Sequence, residues 1–331
     1  MRVLILSHSD VLAALPPQAC ADAMAAVLAD NARGETYLPL RSIMRPPAAS
    51  GFMGLMPAWR GQHRDQAAAF GLKTICLIPG NPARGLDAHQ GLVTLFDGET
   101  GVPTAILDAS AVTAVRTAAV TAVATGLLAR RDARELGILG AGVQARTHLR
   151  ALATVRDFEQ VRVYAPTRAH AEAVVAEATV ARAKVSVARS AEEAVRAADV
   201  VVVATSAREP VLTRAWLRPG AHLNAVGAST PQAREIDTAT VAACALFCDS
   251  RESLRNEAGE FQLAIREGAI PGEEHVRAEL GEVLVGTSPG RRDDSELTMF
   301  RSLGLAIEDL AAAQSAVTTA RAQGIGTEVE L

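Results

Sequence analysis

Lys73 is the residue whose chemistry is hardest to replace. Of the 33 basic residues in this 331-residue chain only Lys73 and Lys184 are lysines, so arginine serves wherever a fixed positive charge is enough. A guanidinium stays protonated, whereas burial can tune a lysine amine to exchange a proton near neutral pH. Lys73 stands in the apolar run Phe70-Gly71-Leu72-Lys73-Thr74-Ile75-Cys76-Leu77, where an unpaired charge is expensive, so a partner anion is expected. An ordinary surface lysine is the plainer alternative.

The second chemical feature is a glycine turn at mid-chain, Leu136-Gly137-Ile138-Leu139-Gly140-Ala141-Gly142-Val143-Gln144-Ala145. A short apolar strand runs into G-x-G-x-x-A and then into a helical pattern, the form of a dinucleotide-binding turn. Gly140 permits the tight bend, Gly142 lets backbone approach a pyrophosphate, and Ala145 is small enough for helix to pack on strand, leaving free helix N–H groups for phosphates. A glycine that merely ends a strand is the competing explanation. The seven histidines, His8, His63, His89, His148, His170, His222 and His275, show no metal spacing. No metal is expected, and His89, near Asn81, is the only histidine to watch for a catalytic role.

The elements that must position these residues divide the chain in two. After the Gly140 turn, Val161–Tyr164, Lys184–Ala188, Asp199–Thr205, Ala221–Gly227 and Ala245–Cys248 read as strands two to six, with helices between them; Ser190-Ala191-Glu192-Glu193 reads as a capping box. Strands alternating with helices indicate a doubly wound nucleotide-binding domain. The first half is instead β-rich, with runs at Tyr37–Met44, Gly51–Trp59, Phe70–Ile78, Gly91–Phe96 and Val102–Leu107, the last two flanking a hairpin turn at Asp97-Gly98-Glu99-Thr100-Gly101. This predicts an antiparallel sheet. Ser110 is read as the cap of a long helix reaching about Ala129, on which Thr113, Arg116 and Thr117 share a face.

Composition narrows the remaining classes. With 33 basic against 37 acidic residues and a net charge of −4, no face is obliged to attract nucleic acid or anionic lipid. Met1–Leu6 is too short for a signal core and runs into Ser7-His8-Ser9-Asp10, a helix-cap cluster, so it reads as a first strand. No stretch is read as long and apolar enough to span a membrane. Cys244 and Cys248 are read as buried free thiols on one strand face, and a cytoplasmic protein is expected.

Several motifs, in order along nearly the whole chain, resemble the ornithine cyclodeaminase/mu-crystallin family. They are Gly54-Leu55-Met56-Pro57-Ala58, Gly71-Leu72-Lys73, Asn81-Pro82, Asp97 to Pro103, Thr113-Ala114-Val115-Arg116-Thr117-Ala118-Ala119, the Gly140 turn, Gly227-Ala228-Ser229-Thr230-Pro231, Glu257-Ala258-Gly259-Glu260 and Thr298 to Gly304. The resemblance implies an α/β fold: a Rossmann-type doubly wound sheet over 120–302 and an antiparallel β-rich substrate-binding and dimerisation domain over 1–119 and 303–331. It implies a homodimer made through the β-rich domain, to which a C-terminal helix near Leu305–Arg321 returns.

By position, the resemblance implies that Arg41, Lys73 and Arg116 form the substrate carboxylate site, with Lys73 also able to place a proton. The cofactor set it implies is Gly140, Ala141, Gly142, Val143, Gln144, Thr167, Arg168, Thr205, Ser229 and Thr113. The second strand ends Tyr164-Ala165-Pro166-Thr167-Arg168, without the acidic residue that grips ribose hydroxyls in NAD enzymes, so NADP(H) is expected over NAD(H), which remains possible. Family cyclodeaminases carry a glutamate before Leu-Met-Pro and an aspartate in the glycine-proline loop; this chain has Gly54 and Ser229 there. What remains is hydride delivery to a carbon-nitrogen double bond. The expected activity is reduction of cyclic imino acids, a ketimine reductase. An ornithine cyclodeaminase or alanine-type dehydrogenase is the alternative, and a non-catalytic NADPH-dependent binding protein the third.

Overall fold

Ser7 ends the first strand because its hydroxyl accepts the Asp10 amide while the Asp10 carboxylate takes the Ser7 amide. Two donors that a helix start would leave unpaired are thereby satisfied. The computed structural model describes residues 1–63, 66–178, 183–228 and 230–330. In chain order the elements are β1 (Arg2–Leu6), α1 (His8–Ala14), α2 (Pro17–Ala32), β2 (Thr36–Tyr37), β3 (Ser42–Met44), β4 (Phe52–Arg60), β5 (Ala69–Leu77), β6 (His89–Asp97), β7 (Pro103–Asp108) and α3 (Ala109–Leu128). There follow β8 (Glu135–Leu139), α4 (Val143–Leu152), β9 (Gln160–Tyr164), α5 (Arg168–Ala176), β10 (Lys184–Val187), α6 (Ala191–Arg196), β11 (Val200–Val203), β12 (His222–Ala225), α7 (Thr238–Ala243) and β13 (Ala245–Cys248). The chain closes with α8 (Arg251–Glu257), α9 (Gly259–Arg266), β14 (Val276–Glu279), α10 (Leu280–Leu284), β15 (Thr298–Arg301), α11 (Ala306–Gln323) and β16 (Thr327–Glu330).

Two units emerge, Met1–Arg116 with Gly304–Leu331, and Thr117–Leu303. The first is built on a sheet of order β16-β1-β7-β6-β5-β4-β2, with β3 also paired to β4. Its pairings are antiparallel except one: β1 lies parallel to β7. The whole meander separates those two strands, so no hairpin dictates their direction. The run expected over Tyr37–Met44 is broken into β2 and β3, with Pro39, which lacks an amide donor, between them. Asp97 makes the β6–β7 hairpin, its Oδ1 accepting the Glu99 and Thr100 amides at 3.1 and 2.8 Å.

Alternation along the central strands sorts the two faces of this sheet. Met56, Ala58, Lys73, Ile75, Val93 and Leu95 are buried on one face, while Leu55, Phe70 and Leu92 stay exposed on the other. Helix α11 covers the buried face. A Cβ at Gly71 would lie 2.9 Å from Leu310 Cδ1 and 3.2 Å from its Cβ, so glycine lets helix and strand approach closely here without displacing the Leu310 side chain.

The second unit is an all-parallel sheet of order β10-β9-β8-β11-β12-β15-β13-β14. Its first five strands follow the doubly wound order. Two strands, β14 and β15, were absent from the sequence reading, and β15 inserts between β12 and the strand read as sixth. Thr298 and Arg301 are fully buried there, so β15 lacks the apolar run by which a central parallel strand is normally read.

Three local expectations need correction. Ser110 does not cap α3; it lies inside the first turn and donates to the His89 carbonyl, while Asp108 Oδ1 takes the Ala111 amide at 2.7 Å. Ser190 does accept the Glu193 amide, but Glu193 turns its carboxylate to the Arg189 amide rather than back to Ser190. Cys244 closes α7 ahead of β13 instead of lying on the strand, and both thiols are buried. In addition, α3 is long and apolar enough by length and composition to cross a membrane, with a mean hydropathy of 1.5. Most of its residues are buried inside the protein, which is what a core helix requires.

Candidate active site

Lys73 points from the middle of β5 toward the first turn of α11. Its Nζ lies 2.6 Å from Asp309 Oδ2 and 3.5 Å from Thr113 Oγ1. Arg116 donates through Nε to Asp309 Oδ1 at 2.9 Å and through Nη1 to Glu308 Oε2 at 3.1 Å. Arg41 reaches the same turn, its Nη2 donating to the Gly304 carbonyl at 2.8 Å. Gly304 has φ +79°, and a Cβ there would sit 2.5 Å from Arg116 Nη1. Glycine at this position leaves room for the guanidinium. Glu308 and Asp309 occupy the first turn of α11, where the helix dipole favours negative charge.

Lys73, Arg116, Glu308 and Asp309 are each at most 5 % exposed. Burial therefore governs their ionisation. It drives the Lys73 amine down to about 8; Asp309 opposes that shift and Arg116 adds to it. Burial alone would raise Asp309, but the Lys73 and Arg116 charges outweigh it and hold the carboxyl below its ordinary value. The named side chains comprise three cations and two carboxylates. Such a group can hold a further carboxylate while keeping an amine that gives up a proton near neutral pH. His89, at the start of β6, is exposed on the residue scale, and its pKa is lowered by burial of the ring and by the Lys73 charge.

The second unit carries a dinucleotide cradle. At the end of β8 the chain turns at Gly140, with φ +116°, where a Cβ would strike the Ala204 carbonyl oxygen at 2.2 Å. Gly142 is the N-cap of α4 and brings no capping side chain; a Cβ there would meet nothing within 4 Å. Ala141, Gly142, Val143 and Gln144 are part- or fully exposed while Ala145 is buried. Open space over uncapped helix N–H groups fits a pyrophosphate. Thr167 is the N-cap of α5 without a side-chain cap bond, and Arg168 is exposed, with Nε 2.8 Å from Glu172. Thr205 donates through N and Oγ1 to Glu235 Oε1, both at 2.6 Å. Thr113, expected in the cofactor set, lies beside Lys73, with its Oγ1 3.5 Å from Nζ. Ser229 lies outside the described residues.

Among the described residues, one triad has ligand atoms close enough for a metal: Asp30, Glu35 and His63, within 4.8 Å of one another. Arg60 already donates to Asp30 Oδ2 at 2.9 and 2.6 Å, and Arg33 to Oδ1 at 2.5 Å. Those cations balance the carboxylate.

Comparison with known proteins gives this geometry a setting. The model of the ornithine cyclodeaminase/mu-crystallin family matches residues 1–323. The chain belongs to this family. Mouse ketimine reductase mu-crystallin is 39% identical over 281 residues, 85% of this chain and 84% of its own. Among solved structures, the Thermococcus litoralis Δ1-pyrroline-2-carboxylate reductase in complex with NADH and L-proline superposes with a TM-score of 0.94 at 36% identity, covering 99% of this chain and 100% of its own. An archaeal alanine dehydrogenase dimer with bound NAD gives 0.92 at 32% identity, with both chains fully covered.

Within this ornithine cyclodeaminase/mu-crystallin chain, the structure brings Arg41, Lys73, Arg116 and Thr113 to one place and supplies the anion that Lys73 required. It also adds Glu308 and Asp309, which sequence reasoning missed. Their signal was adjacent carboxylates heading the otherwise apolar stretch Leu305-Ala306-Ile307-Glu308-Asp309-Leu310-Ala311-Ala312-Ala313. An acidic first turn is ordinary at an exposed helix start, so burial alone makes this one unusual.

Proposed function

We propose that the protein is an NAD(P)H-dependent reductase of cyclic imino acids, acting on a carbon-nitrogen double bond beside a carboxylate in a five- or six-membered ring. The observation that carries the proposal is the buried Lys73 amine, paired with Asp309 and tuned to about 8. Arg116 and Arg41 hold the substrate carboxylate. Lys73 places its proton on the imine nitrogen, and Asp309 stabilises the ammonium from which that proton is drawn. Held at the Gly140 turn, NAD(P)H would supply a hydride for the imine carbon, which with the Lys73 proton on nitrogen converts C=N to CH–NH. Relatives that reduce a ketimine and a pyrroline carboxylate support this reading.

The coenzyme assignment within it is NADP(H) ahead of NAD(H). Ala165 offers no carboxylate to repel a 2′-phosphate, while Thr167 and the exposed Arg168 can bind one. Residues 1–119 and 303–331 form the substrate and dimerisation domain in this proposal, and 120–302 the coenzyme domain. The homodimer joins through the outer face of the first sheet, where Leu55, Phe70 and Leu92 are exposed together. Four free cysteines suit a reducing compartment such as the cytoplasm.

Amino-acid dehydrogenation or cyclodeamination is the second reading, favoured by the archaeal alanine dehydrogenase. Against cyclodeamination stands Gly54, whose absent Cβ would face Ile43 and Ile75 at 3.4 and 3.5 Å, an apolar setting with no carboxylate to orient a side-chain amine. The deciding assay follows NADPH consumption with Δ1-pyrroline-2-carboxylate and Δ1-piperideine-2-carboxylate beside ornithine or alanine with NADP⁺ and NAD⁺. Fast imine reduction without proline or ammonia release from ornithine is expected. Proline formed from ornithine as fast as the imine is reduced would overturn the proposal, and absence of all turnover would leave a binding protein.

A further inference from the structure

Three loops at one edge of the second unit's sheet are packed backbone against backbone. A Cβ at Gly140 would strike the Ala204 carbonyl oxygen at 2.2 Å; one at Gly227 would strike the Thr205 carbonyl oxygen at 2.2 Å and Glu235 Oε1 at 2.5 Å. Gly140 follows β8, Ala204 and Thr205 follow β11, and Gly227 and Ala228 follow β12. These are the carboxyl ends of neighbouring parallel strands, where doubly wound sheets take their ligands.

Glu235 is wholly buried among these loops. Its Oε1 accepts the Thr205 amide and hydroxyl, and its Oε2 accepts the Ala228 amide at 2.8 Å. Its own amide donates to Glu260 Oε1 at 3.3 Å, and its carbonyl takes the Val211 and Leu212 amides. One carboxylate thus bridges two loops and, through Ala204, backs the glycine turn.

We propose that Glu235 is a positioning residue for the dinucleotide, fastening the Thr205 and Ala228 loops in the arrangement that the bound coenzyme requires. The inference rests on the reading that the Gly140 edge takes NAD(P)(H). All three donors aim at carboxylate oxygens, a pattern that the ionised form alone satisfies in full. Burial raises the Glu235 carboxyl to about 7; the Thr205 bonds and the Arg301 charge pull it down, and the Glu260 charge pushes it up. Glu260 faces it from α9 and Arg301 from β15. The clasp therefore loosens as pH falls below neutrality.

Calorimetric titration of the full-length protein with NAD⁺ at pH 8 and pH 6 tests this. NAD⁺ is the probe because it lacks the 2′-phosphate, which itself titrates near pH 6. Wild-type affinity is expected to be about tenfold weaker at pH 6, as a carboxylate titrating near 7 requires. Glu235→Gln keeps an acceptor for Thr205 but turns an NH₂ toward the Ala228 amide. It should bind about tenfold more weakly at pH 8 and lose the pH difference. Glu260→Gln removes the neighbouring negative charge, so its midpoint should move to lower pH, which a merely structural role would not produce. Equal wild-type affinity at both pH values, or unchanged pH dependence in Glu235→Gln, overturns the inference and leaves the coenzyme reading standing. Should Glu235→Gln not fold, an unmoved midpoint in Glu260→Gln overturns it equally. No binding of either NAD⁺ or NADP⁺ by the wild type at either pH overturns the coenzyme reading and this inference together; where only NADP⁺ binds, the same pH comparison between wild type and Glu235→Gln is made with NADP⁺.

Discussion

Lys73→Arg separates charge from proton transfer. The variant keeps a cation opposite Asp309 yet loses the amine that titrates near 8, so imine reduction should fall at least about a hundredfold while coenzyme affinity stays at its wild-type value. Near wild-type turnover would reduce Lys73 to an electrostatic anchor. The pH profile carries the same logic. An acid with a pKa of about 8 is protonated below that value, so the rate should decline as pH rises through it. Asp309 is the charge that lifts the buried amine, and Asp309→Asn should move that descending limb to lower pH. Removing one partner of a buried pair also leaves the ammonium uncompensated, at a cost of about 3–5 kcal/mol that thermal melts would register.

The proposed preference for NADP(H) is tested at the start of α5. Among the described residues Arg168 pairs with Glu172, one turn along the same exposed helix surface, and such a pair is worth at most a few tenths of a kcal/mol. A 2′-phosphate can therefore take the guanidinium over at little cost. Arg168→Ala should lower kcat/KM for NADPH about tenfold and leave NADH almost untouched; equal loss with both coenzymes would place Arg168 outside the recognition site. The first turn of α11 works differently, because its two carboxylates are buried against Lys73 and Arg116 rather than solvated. From sequence, α5 reads as a helix start whose Thr167 and Arg168 could meet a phosphate, whereas α11 reads only as a returning helix.

For the molecule as an assembly, the outer face of the first sheet is the surface that a second copy would cover. Leu92 is 51% and Phe70 46% exposed there, on adjacent strands. If the proposed homodimer forms through this face, Leu92→Asp should convert it to a monomer in sedimentation analysis, because a carboxylate at the centre of an apolar interface is costly to bury. An unchanged mass would move the dimer interface elsewhere.

The sequence by itself determined whatever depends on neighbours along the chain. The Gly140 turn, the β-rich runs that became β4 to β6, the Asp97 hairpin and the helix-cap cluster at Ser7 follow from local backbone sterics and turn chemistry and are legible in the sequence alone. Even the need for an anion beside Lys73 was local, since it followed from one charge in an apolar strand. Only the tertiary structure decided which anion. Asp309 and Glu308 come from the far end of the chain, and it is burial of α11 against α2, β4 and β5 that turns an ordinary acidic helix start into the counter-charge of a buried amine. β15 and Glu235 were hidden for the same reason: a strand holding Thr298 and Arg301, and a lone glutamate in a loop, look solvent-facing until folding surrounds them with the donors and charges that make their burial tolerable.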